Sequence, residues 1–181
     1  MMNNKIKSYH TERLVLIAAT LEHINAELND INLFASLINA EVSMEWPPGE
    51  YDKNAQEYFR ELLIKGGDDL VGWLGWYAIK LSEEKQSAIL VGAGGYFGPP
   101  SETGEIEIGY SVISSYQNKG YATEIVRALV DIASKDGRVK RILARTTESN
   151  KVSCIVLEKN GFQNTSLDFE NNILYEKRLE T

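Results

Sequence analysis

Residues 104–123 hold the groups best suited to chemistry, because a strand pattern there gives way to a helix pattern across residues 117–121. Gln117 can donate a hydrogen bond, Lys119 carries a positive charge, and Gly120 has no side chain to block approach to the backbone. The first N–H groups of a helix lack intrahelical partners and attract anions, so this junction is suited to binding phosphate. The same residues also fit an ordinary strand–turn–helix connection in which the glycine only relieves backbone strain.

Two different periodicities predict the elements that hold this junction in place. Apolar and polar residues alternate between positions 105 and 112, which is typical of a strand with two unlike faces. From Ala122 onward apolar residues recur at helical spacing. The strand therefore brings its polar face, which carries Glu105 and Glu107, close to the predicted phosphate-binding turn.

Three segments in order give the sequence a family resemblance. Residues 117–122 (Gln-Asn-Lys-Gly-Tyr-Ala) fit the (Arg/Gln)-x-x-Gly-x-(Gly/Ala) signature of the GCN5-related N-acetyltransferases, abbreviated GNAT. Residues 107–110 (Glu-Ile-Gly-Tyr) look like the preceding strand in the branch that acetylates the N-termini of ribosomal proteins. Residues 150–153 (Asn-Lys-Val-Ser) and 159–162 (Lys-Asn-Gly-Phe) resemble that branch too. The sequence therefore resembles this family, firmly from Gly104 to Phe162 and loosely elsewhere.

The resemblance implies a fold and an activity. The fold would be α/β, with a mixed, mostly antiparallel sheet of about seven strands, flanking helices, and two central strands that separate to admit a pantetheine arm. Residues 1–181 would form a single acetyltransferase domain. Acetyl-CoA would be the co-substrate, without a metal, and the acetyl group would pass directly to a primary amine of a protein N-terminus or a small molecule. The resemblance also allows for a homodimer.

The resemblance assigns the cofactor contacts to the end of the strand, the turn, the start of the helix and a downstream pair. These residues are Val112, Gln117, Asn118, Lys119, Gly120, Tyr121, Ala122, Thr123, Asn150 and Ser153.

Glu107 is the candidate general base, because it lies on the face opposite Ile106 and Ile108, where the family often places such a carboxylate. Acting through water would suffice for an amine near neutral pH. Glu105 is a weaker candidate for the same role. The alternative for Glu107 is a solvated strand carboxylate, or one that pairs with a lysine.

Asn150 and Ser153 are one helical turn apart and therefore share one face of a predicted helix. In the family the asparagine contacts the amide arm of the cofactor, and the serine, or a tyrosine from elsewhere, lies near the sulfur. The alternative is that both residues only cap the helix, a position that favours Asn and Ser on its own.

Composition limits the class of protein. The 181 residues suffice for one domain with a sizeable core, and no apolar run approaches the length of a membrane span or a signal-peptide core. The formal net charge of −7 argues against nucleic acid as the main partner and is compatible with a cationic amine substrate. The single cysteine, Cys154, fits a reducing compartment, so we expect a cytoplasmic protein with this residue buried and unreactive.

The two histidines, His10 and His23, have no neighbours at metal-ligand spacing and no nucleophile motif beside them. We therefore expect both at the surface. The chemistry must then depend on carboxylates, hydroxyls, backbone groups and a bound cofactor.

Two other features have competing interpretations. Residues 92–95 (Gly-Ala-Gly-Gly) resemble a dinucleotide-binding loop, which would indicate an oxidoreductase, but Pro99 and Pro100 prevent the required helix, so a bulged strand is favoured. Trp46 fits either the wall of an acceptor pocket or, more simply, the core. A protein that binds acyl-CoA without turning it over remains the alternative to an enzyme, and it would need neither Glu107 nor Ser153.

Overall fold

The computed structural model describes residues 7–81, 87–167 and 172–179. Within these ranges it has eight strands and five α-helices. The strands are β1 (Ser8–His10), β2 (Leu14–Ala18), β3 (Gly75–Leu81), β4 (Ala88–Tyr96), β5 (Glu105–Val112), β6 (Arg141–Thr146), β7 (Gln163–Leu167) and β8 (Ile173–Arg178). The helices are α1 (Leu21–Asn29), α2 (Ile31–Ile38), α3 (Lys53–Gly66), α4 (Tyr121–Ser134) and α5 (Lys151–Lys159).

The strands form one sheet in the order β1-β2-β3-β4-β5-β6-β8-β7. Only β5 and β6 pair in parallel, while the other neighbours pair antiparallel. The α/β class and the mixed, mostly antiparallel sheet are thus confirmed.

The sheet of about seven strands expected from the sequence did not include β1. The pattern at residues 11–19 predicted one strand, but Thr11 begins a turn: its N–H and its hydroxyl both donate to the carbonyl of Leu14. This turn folds Ser8–His10 back as an antiparallel partner of β2. A three-residue edge strand is too short for alternation to reveal it.

Helix α4 packs against β4 and β5, and the glycines at residues 92–95 make close packing possible. A Cβ on Gly94 would lie 2.7 Å from Cγ2 of Ile125, and one on Gly92 would lie 2.5 Å from the carbonyl oxygen of Ser111. The register of β4 against β3 shifts by one residue at Val91. The prediction of a bulged strand rather than a dinucleotide loop is therefore confirmed.

One expectation about the histidines was wrong. His23 is buried, because its ring completes a capping box at the start of α1: Thr20 accepts from the His23 backbone, and the His23 ring accepts from the Thr20 backbone. Burial lowers the pKa of His23, although the charge of Glu22 opposes the shift. Cys154 is buried as expected.

No helix within the described ranges is long and apolar enough to cross a membrane. The turn predicted at residues 83–85 lies outside the described residues, as do residues 170 and 171 of the turn predicted at 170–172.

Candidate active site

A cleft opens in the middle of the sheet, where β5 and β6 stop pairing. Their last paired residues are Ile108 and Ala144, although β5 continues to Val112 and β6 to Thr146. Beyond that point residues 109–112 and 145–147 lie on the two sides of a cleft of about 530 Å³. The separation of these two central strands agrees with the fold that the sequence led us to expect.

Six of the ten predicted cofactor residues line this cleft. They are Val112, Gln117, Asn118, Ala122, Asn150 and Ser153. Tyr121 is buried. Gly120 and Thr123 line a neighbouring surface depression formed with residues 9–13.

The turn before α4 leaves the start of that helix open. Gly120 has a φ of +83° and no side chain caps the helix, so the backbone N–H groups of its first turn are available to a ligand. Arg13, immediately before β2, braces the turn: its guanidinium donates to the carbonyl of Lys119 at 3.0 Å and pairs with Glu124 at 2.7 Å. A Cβ on Gly120 would lie only 3.3 Å from Nη2 of Arg13, so the turn has little room for a larger residue.

The two polar side chains of the turn also hold the loop itself. Nε2 of Gln117 donates to the carbonyl of Val112 at 3.0 Å, and Nζ of Lys119 donates to the carbonyl of Ser115 at 2.8 Å. The groups of this turn that stay available to an anion are therefore chiefly backbone N–H groups, and the two side chains keep the loop in place.

Asn150 and Ser153 lie on one face of α5, as their spacing predicted. Asn150 is the N-cap, and its Oδ1 accepts from the Ser153 N–H at 3.1 Å. Both residues also line the cleft. The capping role and a position facing the cleft are therefore compatible.

Tyr110 reaches this pair from β5. Its hydroxyl lies 2.8 Å from Oγ of Ser153, with either oxygen able to donate. Burial raises the pKa of Tyr110 to about 12; the hydrogen bond from Ser153 opposes the shift, while Cys154 and Glu50 add to it. Tyr110 therefore keeps its proton near neutral pH and can donate a hydrogen bond into the cleft.

Glu107 lies on the opposite face of β5 from Ile106 and Ile108, as predicted, and it forms an ion pair with Arg145. Glu105, two residues earlier, pairs in the same way with Arg141. The partner of Glu107 is thus an arginine rather than the lysine that the alternative interpretation named. Arg145 itself lines the cleft, which links this ion pair to the site.

A second, smaller pocket of about 160 Å³ adjoins the cleft. Its walls come from α3 and the segment before it, and its floor from β4 and β5. The lining residues are Glu50, Tyr51, Ala55, Phe59, Ala93, Gly94, Gly95, Phe97, Gly109, Tyr110 and Ser111. Glu50, Gly109, Tyr110 and Ser111 also line the cleft, so the two spaces meet there.

A buried carboxylate fixes the segment that carries Glu50. Glu27 of α1 accepts hydrogen bonds from Trp46, Tyr51, Gln56 and Tyr77, at 2.7–3.0 Å. Burial raises the pKa of Glu27 to about 7, while its four donors oppose the shift. Trp46 also packs against Tyr77 and Tyr51, so it belongs to the support of the pocket and not to its lining.

Residues 13–163 match the family model described as an acetyltransferase (GNAT) domain. The chain belongs to the GNAT acetyltransferase family. It is therefore an acyltransferase enzyme rather than a protein that only binds acyl-CoA.

Similar proteins agree with this GNAT assignment. An uncharacterized N-acetyltransferase of Bacillus subtilis strain 168, YjdG, is 33% identical over 152 residues, which cover 84% of this chain and 87% of the relative. Among solved structures, a ribosomal-protein-alanine acetyltransferase from Vibrio fischeri has a TM-score of 0.64 at 20% identity, covering 95% of this chain and 96% of that one. The self-immunity acetyltransferase MccE, solved with acetyl-CoA and AMP, has a TM-score of 0.61 at 16% identity, covering 93% and 94%.

Sequence reasoning missed several residues of this GNAT site. Tyr110 was counted only as part of a strand, although a tyrosine near the sulfur was foreseen in general terms. Arg13 and Glu50 are distant in sequence from the motifs, so no local pattern connects them with the cleft. Of these three residues, only Tyr110 could have been identified from the sequence, because it belongs to the Glu-Ile-Gly-Tyr segment.

Proposed function

We propose that this enzyme transfers acetyl from acetyl-CoA to a primary amine by direct attack of the amine, without an acyl-enzyme. The observation that carries the proposal is the separation of β5 and β6 beyond Ile108 and Ala144, next to the uncapped start of α4. A long ligand with an anionic middle and a thin arm fits this pair of features. We also propose that residues 1–181 form one domain and that the protein is located in the cytoplasm. The proposal includes a homodimer.

The cleft and the turn before α4 offer binding groups for the diphosphate and for the pantetheine arm of coenzyme A. We assign the diphosphate to the backbone N–H groups of residues 120–123, because no side chain caps this helix start and the helix dipole adds partial positive charge there. The exposed edge of β5 at residues 109–112 can bond the amides of the pantetheine arm. Asn150 lies on the far wall of the cleft and can contact the same arm. Acetyl-CoA supplies the acetyl group as a reactive thioester.

One set of side chains accepts the proton of the amine, and a second set donates a proton to the departing sulfur. Glu107 accepts the proton that leaves the amine nitrogen, through water, as the nitrogen forms its bond to the acetyl carbon. The carbon–sulfur bond breaks, and the departing sulfur takes a proton through the hydroxyls of Tyr110 and Ser153, which are replenished from solvent. The ion pair with Arg145 keeps the Glu107 carboxylate oriented between turnovers.

Thermal unfolding with acetyl-CoA, CoA, NAD or ATP is the first test. A ligand at 100 times its Kd adds about 2.7 kcal/mol to the free energy of unfolding, which raises Tm by roughly 5–10 °C in a protein of this size. We expect that shift with the two CoA compounds only. Release of free thiol with a panel of primary amines then tests transfer. Stabilisation by NAD, or CoA binding without thiol release on any amine, would contradict the proposal.

A further inference from the structure

The pocket beside the cleft has an apolar interior with one acidic residue at its mouth. Phe59, Phe97 and Tyr51 form the aromatic wall, and small residues of β4 and β5 form the floor. Phe97 and Phe59 are in ring contact, with centroids 6.1 Å apart. These walls bind an apolar group more favourably than a charged group, because an unpaired charge in the pocket would lose its hydration.

The pocket has a definite size, which limits what can enter. Its volume is about 160 Å³. A dry apolar cavity of roughly 150 Å³ accommodates a benzene molecule. The space is therefore matched to a single aromatic ring or a branched aliphatic group of similar size.

Glu50 stands where the pocket meets the cleft. It is exposed, it lines both spaces, and none of the ion pairs in the described ranges includes it. Tyr110 lines the same two spaces, and the charge of Glu50 adds slightly to the raised pKa of the Tyr110 hydroxyl. An ammonium group at this point would gain a carboxylate partner and lie beside the Tyr110–Ser153 pair.

We infer that the acceptor is a primary amine that carries one ring-sized apolar group, with Glu50 binding the ammonium and the pocket of Tyr51, Phe59 and Phe97 binding the apolar group. This inference rests on the proposed acetyl transfer and specifies its substrate. The same chemistry occurs in free arylalkylamines and in peptides with a large apolar N-terminal residue. A polyamine does not meet it, because its second ammonium would enter the apolar pocket.

Steady-state acetylation of five acceptors tests the inference and separates the two sources. The acceptors are 2-phenylethylamine, ethylamine, 1,4-diaminobutane, and a pair of short peptides that begin with Phe or Ser. Burial of the ring should make kcat/KM for 2-phenylethylamine about 10- to 100-fold higher than for ethylamine. A free-amine enzyme prefers 2-phenylethylamine to the Phe peptide, whereas a peptide enzyme shows the reverse order. Equal or greater activity with 1,4-diaminobutane, or no preference for the ring, overturns the inference.

Variants of the pocket provide an independent check. Ala55→Leu should fill the pocket and reduce the preference for 2-phenylethylamine over ethylamine at least fivefold, whereas Phe97→Ala should weaken that preference by removing a wall. Phe97 is half exposed, so its replacement should leave the fold intact. Ile64→Ala, also at a half-exposed apolar residue and on α3 away from the pocket, is the control. An unchanged preference in a folded Ala55→Leu protein would contradict the assignment.

Glu50→Gln should raise KM for 2-phenylethylamine about tenfold while KM for acetyl-CoA stays within twofold. Glu57→Gln, at a carboxylate of α3 that pairs with Lys53, is the matched control. Binding of 2-phenylethylamine to the CoA complex, measured by calorimetry, should weaken in Glu50→Gln and Ala55→Leu. Failure of every amine to release thiol would refute the acetyl transfer itself, whereas transfer with the wrong acceptor order would refute only the acceptor class.

Discussion

The hydroxyl of Tyr110 lies 2.8 Å from Oγ of Ser153, so a strand residue and a helix residue meet across the cleft. This contact joins the two sides of the space in which β5 and β6 no longer pair. In the proposed reaction both hydroxyls serve the departing sulfur, and the hydrogen bond between them lets them act as one unit.

Removing either hydroxyl should slow the chemical step. We expect Tyr110→Phe and Ser153→Ala each to lower kcat about 10- to 100-fold while KM for acetyl-CoA changes less than twofold, because the pair acts on the departing sulfur. The double variant should be little slower than either single variant, since each loss breaks the same relay. Tyr58→Phe, at an exposed tyrosine, is the control. Unchanged turnover in Ser153→Ala would rule out a proton-donor role for that residue.

Glu107→Gln should lower the rate most at low pH, where the amine needs most help in losing its proton. The chain offers a matched control in Glu105→Gln, because Glu105 lies on the same strand face and also pairs with an arginine. We expect the control to keep the wild-type pH–rate profile between pH 6 and 9. If Glu107→Gln keeps that profile as well, Glu107 is not the base.

Gly120→Ala should weaken CoA binding about tenfold in calorimetry, because a side chain there approaches Arg13 and disturbs the backbone turn. The positive φ adds a folding cost of about 1 kcal/mol or more. Gly98→Ala controls for that cost, since Gly98 also has a positive φ, with open space around its Cβ position. Equal CoA affinity in the two variants would show that the turn does not hold the diphosphate.

Glu27 should make stability depend on pH in a predictable direction. Its pKa in the folded protein is about 7 instead of the model-peptide value of 4.5, so the folded state binds more protons between those values. Stability from this group is therefore complete below pH 4.5 and falls as pH rises through 7, by about 3 kcal/mol at 1.4 kcal/mol per unit. Urea unfolding at pH 5 and pH 8 measures the difference.

The Glu27→Gln variant isolates that effect. Its amide can keep the carbonyl toward Trp46 and Gln56 and donate its NH₂ to the hydroxyl oxygens of Tyr51 and Tyr77. We expect the variant to lose less stability than the wild type between pH 5 and pH 8. An identical loss in both proteins would mean that Glu27 does not titrate in this range.

Local pattern was enough to predict the elements that carry the cofactor site. The alternation in β5, the helical spacing from Ala122 and the glycine between them depend only on neighbouring residues, so their spacing is visible in the sequence. The helix start at Asn150 could be predicted for the same reason, because Asn favours the N-cap position. The edge strand β1 and the buried His23 were not, because each depends on a turn or cap that overrides the local preference.

The sequence alone indicated the family through short motifs, the sheet type through what that resemblance implies, and the turn at Gly120 through the change of periodicity around it. Only the tertiary structure decided where β5 leaves β6, that Tyr110 meets Ser153, that Arg145 pairs with Glu107, and that Glu50 stands at the mouth of the second pocket. The first three of these relationships join residues separated by 36 or more positions in the chain. Long-range contacts of this kind are set by how the elements pack, and no spacing within a single segment encodes them.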